Sequence, residues 1–298
     1  MGSTTTHIEK LDSIKFDDLM AEHDPFGKNK NCRFDLTSVR LITPVALVSL
    51  AAVCFGLAST DSQPVIMVED PSVRSYLLRA GFVQVLEDIA TFEPNFSEFE
   101  SLGYDALRGS NEMLIEVTKI NTGRSLSGVL DQIVSVLRGR LRYRKTDAYD
   151  VATAISEIAQ NTFDHNKATS GFLAMQVYGK GQDRFLEIGV ADCGEGLAKT
   201  LRRNPKHAMI TSDGEAISTA TRLGTSEHDD PTRGTGLYHL LEIAYRTEGS
   251  VQIRSGKAKV RYRMDRKKGW AFNVAQAPGV QIGLTLRSKE NLALEEVA

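Results

Sequence analysis

A carboxylate, an amide and an imidazole recur at steps of four in Ser156-Glu157-Ile158-Ala159-Gln160-Asn161-Thr162-Phe163-Asp164-His165. On a helix, Glu157, Asn161 and His165 would share one face. The opposite face carries Val151, Ile155, Ile158, Ala159 and Thr162, and this mostly apolar set suits packing on a core. The row of polar groups could do chemistry. A carboxylate can take a proton from water or a hydroxyl, and an amide oxygen suits a hard cation. Downstream come Asp192-x-Gly194-x-Gly196 and Arg233-Gly234-Thr235-Gly236-Leu237-Tyr238. Glycines there would let backbone approach a ligand closely. Glycine amides leading into a helix N-terminus can cradle phosphate oxygens. Alone, each feature has a plainer meaning, a solvated helix face or a common turn. Their combination points to a site for a phosphate-bearing ligand.

Bulk properties limit the alternatives. The chain has 298 residues, 41% hydrophobic and 25% charged, with a formal net charge of -2. That length allows two ordinary domains, and the charge gives no global pull toward nucleic acid or an acidic membrane. Three widely spaced cysteines, Cys32, Cys54 and Cys193, form no metal-type or paired pattern. A reducing, cytoplasmic setting is therefore expected. The polar N-terminus shows no secretory pattern. The longest apolar stretch, Val45 to Ala58, is too short to span a bilayer. Basic clusters at Arg138–Lys145 and Lys257–Lys268 read as solvated faces, with Lys259, Arg261 and Arg263 on the outer side of a half-buried hairpin.

The pattern along the chain divides it into a tail (1–11), a small α/β unit (12–95), a linker (96–110) and a larger α/β unit (111–298). In the first unit, Arg33-Phe34-Asp35-Leu36 and Pro64–Val68 read as strands. Thr43-Pro44 should cap and open a helix reaching about Leu57. Asp70-Pro71-Ser72 should open another, ended by Gly81. In the second unit, Met113–Val117 reads as a strand and Leu126–Leu141 as a helix, followed by the helix of Glu157. Gly171–Val177 and Phe185–Val190 read as adjacent strands joined at Gly179–Gly181. A hairpin is expected around Ser255-Gly256, with a final strand over Val280–Leu286.

The order of motifs in residues 111–298 resembles the GHKL ATPases, the gyrase-type, chaperone-type, histidine-kinase and anti-sigma-factor-kinase proteins. The resemblance implies a Bergerat-type α/β sandwich, a mixed sheet with helices on one face, that binds ATP with Mg2+. It implies Asn161 as the magnesium ligand and Glu157 as the base. Asp192 would accept the adenine amino group, with Gly194 and Gly196 turning beside the base. Gly224, Thr225 and Ser226 would belong to the ATP lid. Arg233, Gly234, Thr235, Gly236 and Leu237 would form the second glycine box, Thr235 acting through its backbone. His165 would make a polar contact near phosphate or a structural hydrogen bond. The family's Gly-Thr in the last strand corresponds here to Gly279-Val280; Thr285 is an alternative that falls late in the strand.

The run Asp35-Leu36-Thr37…Ile42-Thr43-Pro44-Val45-Ala46-Leu47 resembles a STAS-like domain, the fold of anti-anti-sigma factors. Val45 stands where phosphorylatable members carry serine, so no phosphosite is expected there. About a dozen residues follow the last expected strand, which points away from members with a transducer domain. The combination resembles an anti-sigma kinase joined to an antagonist-like partner. It implies a regulatory protein with Mg-dependent ATPase or serine/threonine kinase activity, using lid ordering as a switch. Its partner would be a regulatory protein or a second copy in a homodimer, with neither nucleic acid nor membrane. The alternative is a non-catalytic nucleotide sensor whose STAS-like domain binds the partner.

Overall fold

Runs with small residues on one side and branched residues on the other organise the central sheet. The computed structural model describes residues 8–27, 32–97, 114–120, 123–164, 170–225, 234–263 and 268–289. Five strands lie in the order β6 (Leu114–Ile120), β7 (Gly171–Tyr178), β8 (Phe185–Asp192), β10 (Lys268–Arg287) and β9 (Ser250–Arg263). Every neighbouring pair in this sheet is antiparallel, which corrects the mixed sheet expected for this unit. The chain path supplies the reason. Between β6 and β7 stand two helices, α5 (Gly123–Arg140) and α6 (Lys145–Asp164). A helical hairpin returns the chain to the end it left, so the next strand runs the other way. The protein as a whole is α/β.

Leu173, Met175 and Val177 of β7 share one face of the sheet with Leu186, Ile188 and Val190 of β8. They pack under α5, α6, α8 (Asp213–Ala220) and α9 (Gly236–Arg246). The other face carries Phe172, Ala174, Gly189, Ala191 and Gly283. Onto it packs α2 (Pro44–Ala58). A Cβ on Gly189 would lie 2.8 Å from Val45 Cα and 2.9 Å from the Pro44 carbonyl oxygen. One on Gly283 would lie 2.8 Å from Val45 Cγ2. These glycines make a flat seat that only a helix in close approach can fill. The second unit's helices α5, α6, α8 and α9 therefore lie on one face of the sheet, and α2, from the first unit, covers the other.

The far side of α2 packs under a small parallel sheet, β2 (Arg33–Asp35), β4 (Val65–Met67) and β5 (Thr91–Glu93), in that order. This explains why α2 is apolar all round. Beside it, β1 (Lys10–Leu11) pairs in parallel with β3 (Leu41–Ile42). The Asp70 carboxylate accepts from the N–H groups of Ser72 and Val73 and so caps α3 (Pro71–Arg79). Two features depart from the sequence reading. Ile8 and Leu11, placed there in a tail, are buried, and a further helix α1 (Ser13–His23) follows, capped by Asp12. Residues 1–7 and most of the expected linker lie outside the described residues. The first unit is also stitched to the sheet directly. The Val117 N–H donates to Ala80 O at 2.6 Å, and Tyr76 Oη donates to Gln176 Oε1 at 3.0 Å.

The hairpin expected at Ser255-Gly256 is instead an irregularity inside β9. Gly256 adopts φ +59°, and the register against β10 shifts between Ala277 and Val280. The extra residues of the irregularity lie in β10, and β9 runs through the turn-like residues without reversing. Lys259 is not solvated either. It is buried, and its Nζ donates to Asp17 Oδ2 at 2.5 Å and to Ser13 O at 2.6 Å. Arg254, also buried, pairs with Asp17 Oδ1 at 3.3 Å. The unexpected α1 covers this face. Burial holds Lys259 below the ordinary lysine value and pushes Arg254 down to about 10, with Asp17 opposing both shifts.

Candidate functional site

Glu157 lies on α6, half-buried, where this helix meets the start of α9. The two elements touch because Gly236 has no side chain. A Cβ there would come within 3.0 Å of Glu157 Cβ and 3.3 Å of Oε2. The Thr235 hydroxyl donates to Glu157 Oε2 at 2.7 Å. Thr235 thus meets Glu157 through its side chain, in addition to any part its backbone plays. A hydrogen bond to a charged group contributes about 1.5–3 kcal/mol and here fixes the carboxylate's orientation. Among the described residues, Glu157 Oε1 accepts no hydrogen bond. Asn161 sits one turn further along α6 and is exposed. His165 lies outside the described residues.

Gly234 adopts φ +75°, and a Cβ on it would strike the Thr225 carbonyl oxygen at 2.0 Å. The backbone at Thr225 and at Gly234 is therefore in direct contact, which brings the two flanks of 226–233 together. Ser226 and Arg233 fall in that interval, outside the described residues. Gly224 has φ +72° and open space where a side chain would stand. Leu237 is half-buried and packs against both the main core and a small cluster of Ala198, Leu201, Ile210, Ala216 and Ala220.

Asp192 closes β8, and its carboxylate is held by backbone. The Gly194 N–H donates to Oδ1 at 2.8 Å, and the Val280 N–H donates to Oδ2 at 3.2 Å. Gly279 turns against the same group with φ +60°, and its N–H donates to Gly194 O at 2.8 Å. A Cβ on Gly279 would lie 2.3 Å from Asp192 Oδ1. Residue 280 meets Asp192 through its main-chain N–H, a group that valine supplies as well as threonine. Thr285 pairs with Glu187, well away along the strand. Gly196 has φ +80° and opens α7 (Leu197–Leu201), where the Leu197 N–H donates to Ser255 Oγ at 2.9 Å. Leu197 packs against the same two clusters as Leu237, so the Asp192 turn and the Glu157–Thr235 pair share one piece of core.

Four positions here escape a reading of the sequence. Ser255 holds the turn after Gly196. Pro278 lies against α2, where a Cβ on Gly56 would be 2.8 Å from its Cγ, so α2 abuts the segment that grips Asp192. Glu187, from β8, accepts the Val45 N–H at 3.3 Å and takes the capping role expected of Thr43, whose side chain makes no cap bond. Burial raises the Glu187 carboxyl above its ordinary value, with the Val45 N–H acting against it. Thr235 is the fourth, through its hydroxyl. For Ser255, Pro278 and Thr235 the sequence signal was a neighbouring glycine; Glu187, between Leu186 and Ile188, had none.

The described cysteines are all free. Among the described residues no cluster of three or more His, Cys, Asp or Glu side chains could hold a metal, and no helix is long and apolar enough to cross a membrane. Compared with known proteins, the chain matches no family model and no curated sequence significantly.

Proposed function

We propose that this chain is a regulatory Mg-ATP-dependent phosphoryl-transfer protein of the anti-sigma-factor-kinase type. In this reading a STAS-like unit is fused to a Bergerat-type ATPase unit, and the protein works with a regulatory protein partner in a reducing compartment. The observation that carries it is the Thr235 hydroxyl bound to Glu157 beside the glycine-opened start of α9. Bound Mg-ATP supplies a terminal phosphoryl group and the cation that neutralises its charge.

The residues at hand suit that group. Asn161 offers an exposed amide oxygen of the kind a hard cation takes. The N-terminus of α9, led in by Gly234 and Gly236, offers amides to phosphate oxygens. Asp192, fixed by two backbone N–H groups, is an oriented acceptor for an amino group such as that of adenine. Glu157, held by Thr235 through one oxygen, keeps the other to take a proton from water or a hydroxyl. Ordering of the segment around residues 224–233 on nucleotide binding would be the switch.

The alternative, a nucleotide sensor whose STAS-like unit is the working surface, would have to use a surface other than the start of α2. Val45 is 4% exposed and seated on the sheet. The two readings separate on Glu157→Gln. Phosphoryl transfer requires turnover to fall about 10²-fold or more, as for loss of a general base, while ATP affinity holds. Turnover unchanged in that variant would remove the catalytic reading.

A further inference from the structure

We propose that the seam between α5 and α6 is the acceptor groove of this reaction, and that it takes a basic, amphipathic polypeptide segment presenting a serine or threonine hydroxyl to Glu157. The inference rests on the phosphoryl-transfer reading above. The seam is a groove of about 520 Å³, within the size range of ligand sites. It is long: lining residues on α6 run from Tyr149 to Gln160, about 16 Å along the axis at 1.5 Å per residue.

The two ends of the groove differ. Because α5 and α6 form an antiparallel hairpin, Val134 and Leu130 of α5 lie toward Tyr149, which is 50% exposed. Glu157 and Gln160 close the other end. One end is therefore an apolar anchor site and the other reaches the carboxylate whose Oε1 accepts no hydrogen bond among the described residues. Among the described residues, the charged side chains lining the groove are Asp131 and Glu157, with no lysine or arginine, and Lys145 Nζ lies 5.9 Å from the Tyr149 ring centroid at the apolar end. Two carboxylates with no lysine or arginine in the described lining favour a cationic occupant beside them and disfavour an acidic one. A water molecule as acceptor would need no elongated apolar seam. A polypeptide would use all of it, with an apolar side chain at Tyr149, a basic side chain at Asp131 and a hydroxyl at Glu157. In the transfer, the hydroxyl oxygen bonds to the terminal phosphorus of ATP, its proton passes to Glu157, and ADP leaves with the electrons of the broken P–O bond.

The test uses the full chain and a short fluorescent peptide of leucine, lysine and a central serine, with a glutamate-for-lysine version and an alanine-for-serine version as controls. Asp131 is exposed and makes no hydrogen bond or ion pair among the described residues, so Asp131→Lys should fold normally. Fluorescence anisotropy without nucleotide should show the basic peptide binding about tenfold tighter than the acidic one. Asp131→Lys should abolish or reverse that preference, and Tyr149→Ala should weaken both peptides. With labelled Mg-ATP the serine peptide should take up label and the alanine peptide should not. In Asp131→Lys the peptide KM should rise while the ATP Kd stays the same. Equal binding of the basic and acidic peptides, or a preference indifferent to Asp131→Lys, overturns the groove. ATP turnover into water with no peptide label overturns the groove and leaves the phosphoryl-transfer reading standing. Peptide binding in a protein that neither binds nor turns over ATP overturns the reading beneath it, and the acceptor role with it.

Discussion

Gly189→Ala should destabilise the whole chain, because the new methyl would stand where α2 rests on the sheet. Its Cβ would lie 2.8 Å from Val45 Cα, 2.8 Å from Val48 Cγ2 and 2.9 Å from the Pro44 carbonyl oxygen. Two of these three atoms are backbone, so no rotamer change relieves the clash and α2 must lift. Overpacking of this kind costs about 1–3 kcal/mol. Restricting the unfolded chain returns about 0.4–1 kcal/mol, leaving a net loss of about 1–2 kcal/mol. At about 2–4 °C per kcal/mol for a chain of this order of size, Tm should fall by about 2–8 °C. Gly139→Ala is the matched control. It is an exposed position in α5 with nothing within 4 Å of the new methyl, and alanine there should stabilise by about 0.5–1 kcal/mol. Thermal unfolding followed by far-ultraviolet circular dichroism and by Trp270 fluorescence reports on both units. The two signals should move down together in Gly189→Ala. If Gly189→Ala is as stable as Gly139→Ala, or lowers one signal alone, α2 is not seated between the two units as described.

Three further substitutions test the buried charges at that junction. Burial holds Glu187 above its ordinary value of 4.5, so the folded chain binds this proton more tightly than the unfolded chain. Stability from this group is full below about pH 4.5 and is lost as pH rises through the raised value. Glu187→Gln keeps an acceptor for the Val45 N–H, and it should gain on the wild type from about pH 4 to pH 7 in urea midpoints; a constant difference would refute the shift. Asp17→Asn strands Arg254 and Lys259, both buried, and should cost about 3 kcal/mol. Adding Lys259→Met should recover part of that loss in a double-mutant cycle, whereas strict additivity would show that the pair is not coupled.

Local signals in the sequence were read well where they are strong. Pro44 and Asp70-Pro71 open helices where proline at the first helical position says they should, and the β7–β8 pair turns at Gly179–Gly181. The misreadings come from long-range partners. The cap Asp12 and the helical spacing of Phe16, Leu19, Met20 and His23 were the local signals for α1, but the contact that places it, Asp17 to Lys259, spans 242 positions. The same contact turns an alternating basic strand, which reads as solvated, into a covered one. Ala277-Pro278-Gly279 reads as a break before a short last strand. In the fold it is a bulge within β10, placed where β8 ends at Asp192. In the candidate site, residue types and order were legible, but the Thr235–Glu157 bond was not. It depends on how closely Gly236 lets α9 approach α6, a distance that no local pattern encodes.

Glu157-dependent phosphoryl transfer is tested most directly by following the terminal phosphate of labelled ATP, with magnesium, in the wild type and in Glu157→Gln. Both proteins should bind Mg-ATP with similar Kd, and only the wild type should move label, onto protein or peptide or into free phosphate. Label that moves equally in both proteins, or a wild type that does not bind Mg-ATP, would contradict Glu157-dependent transfer.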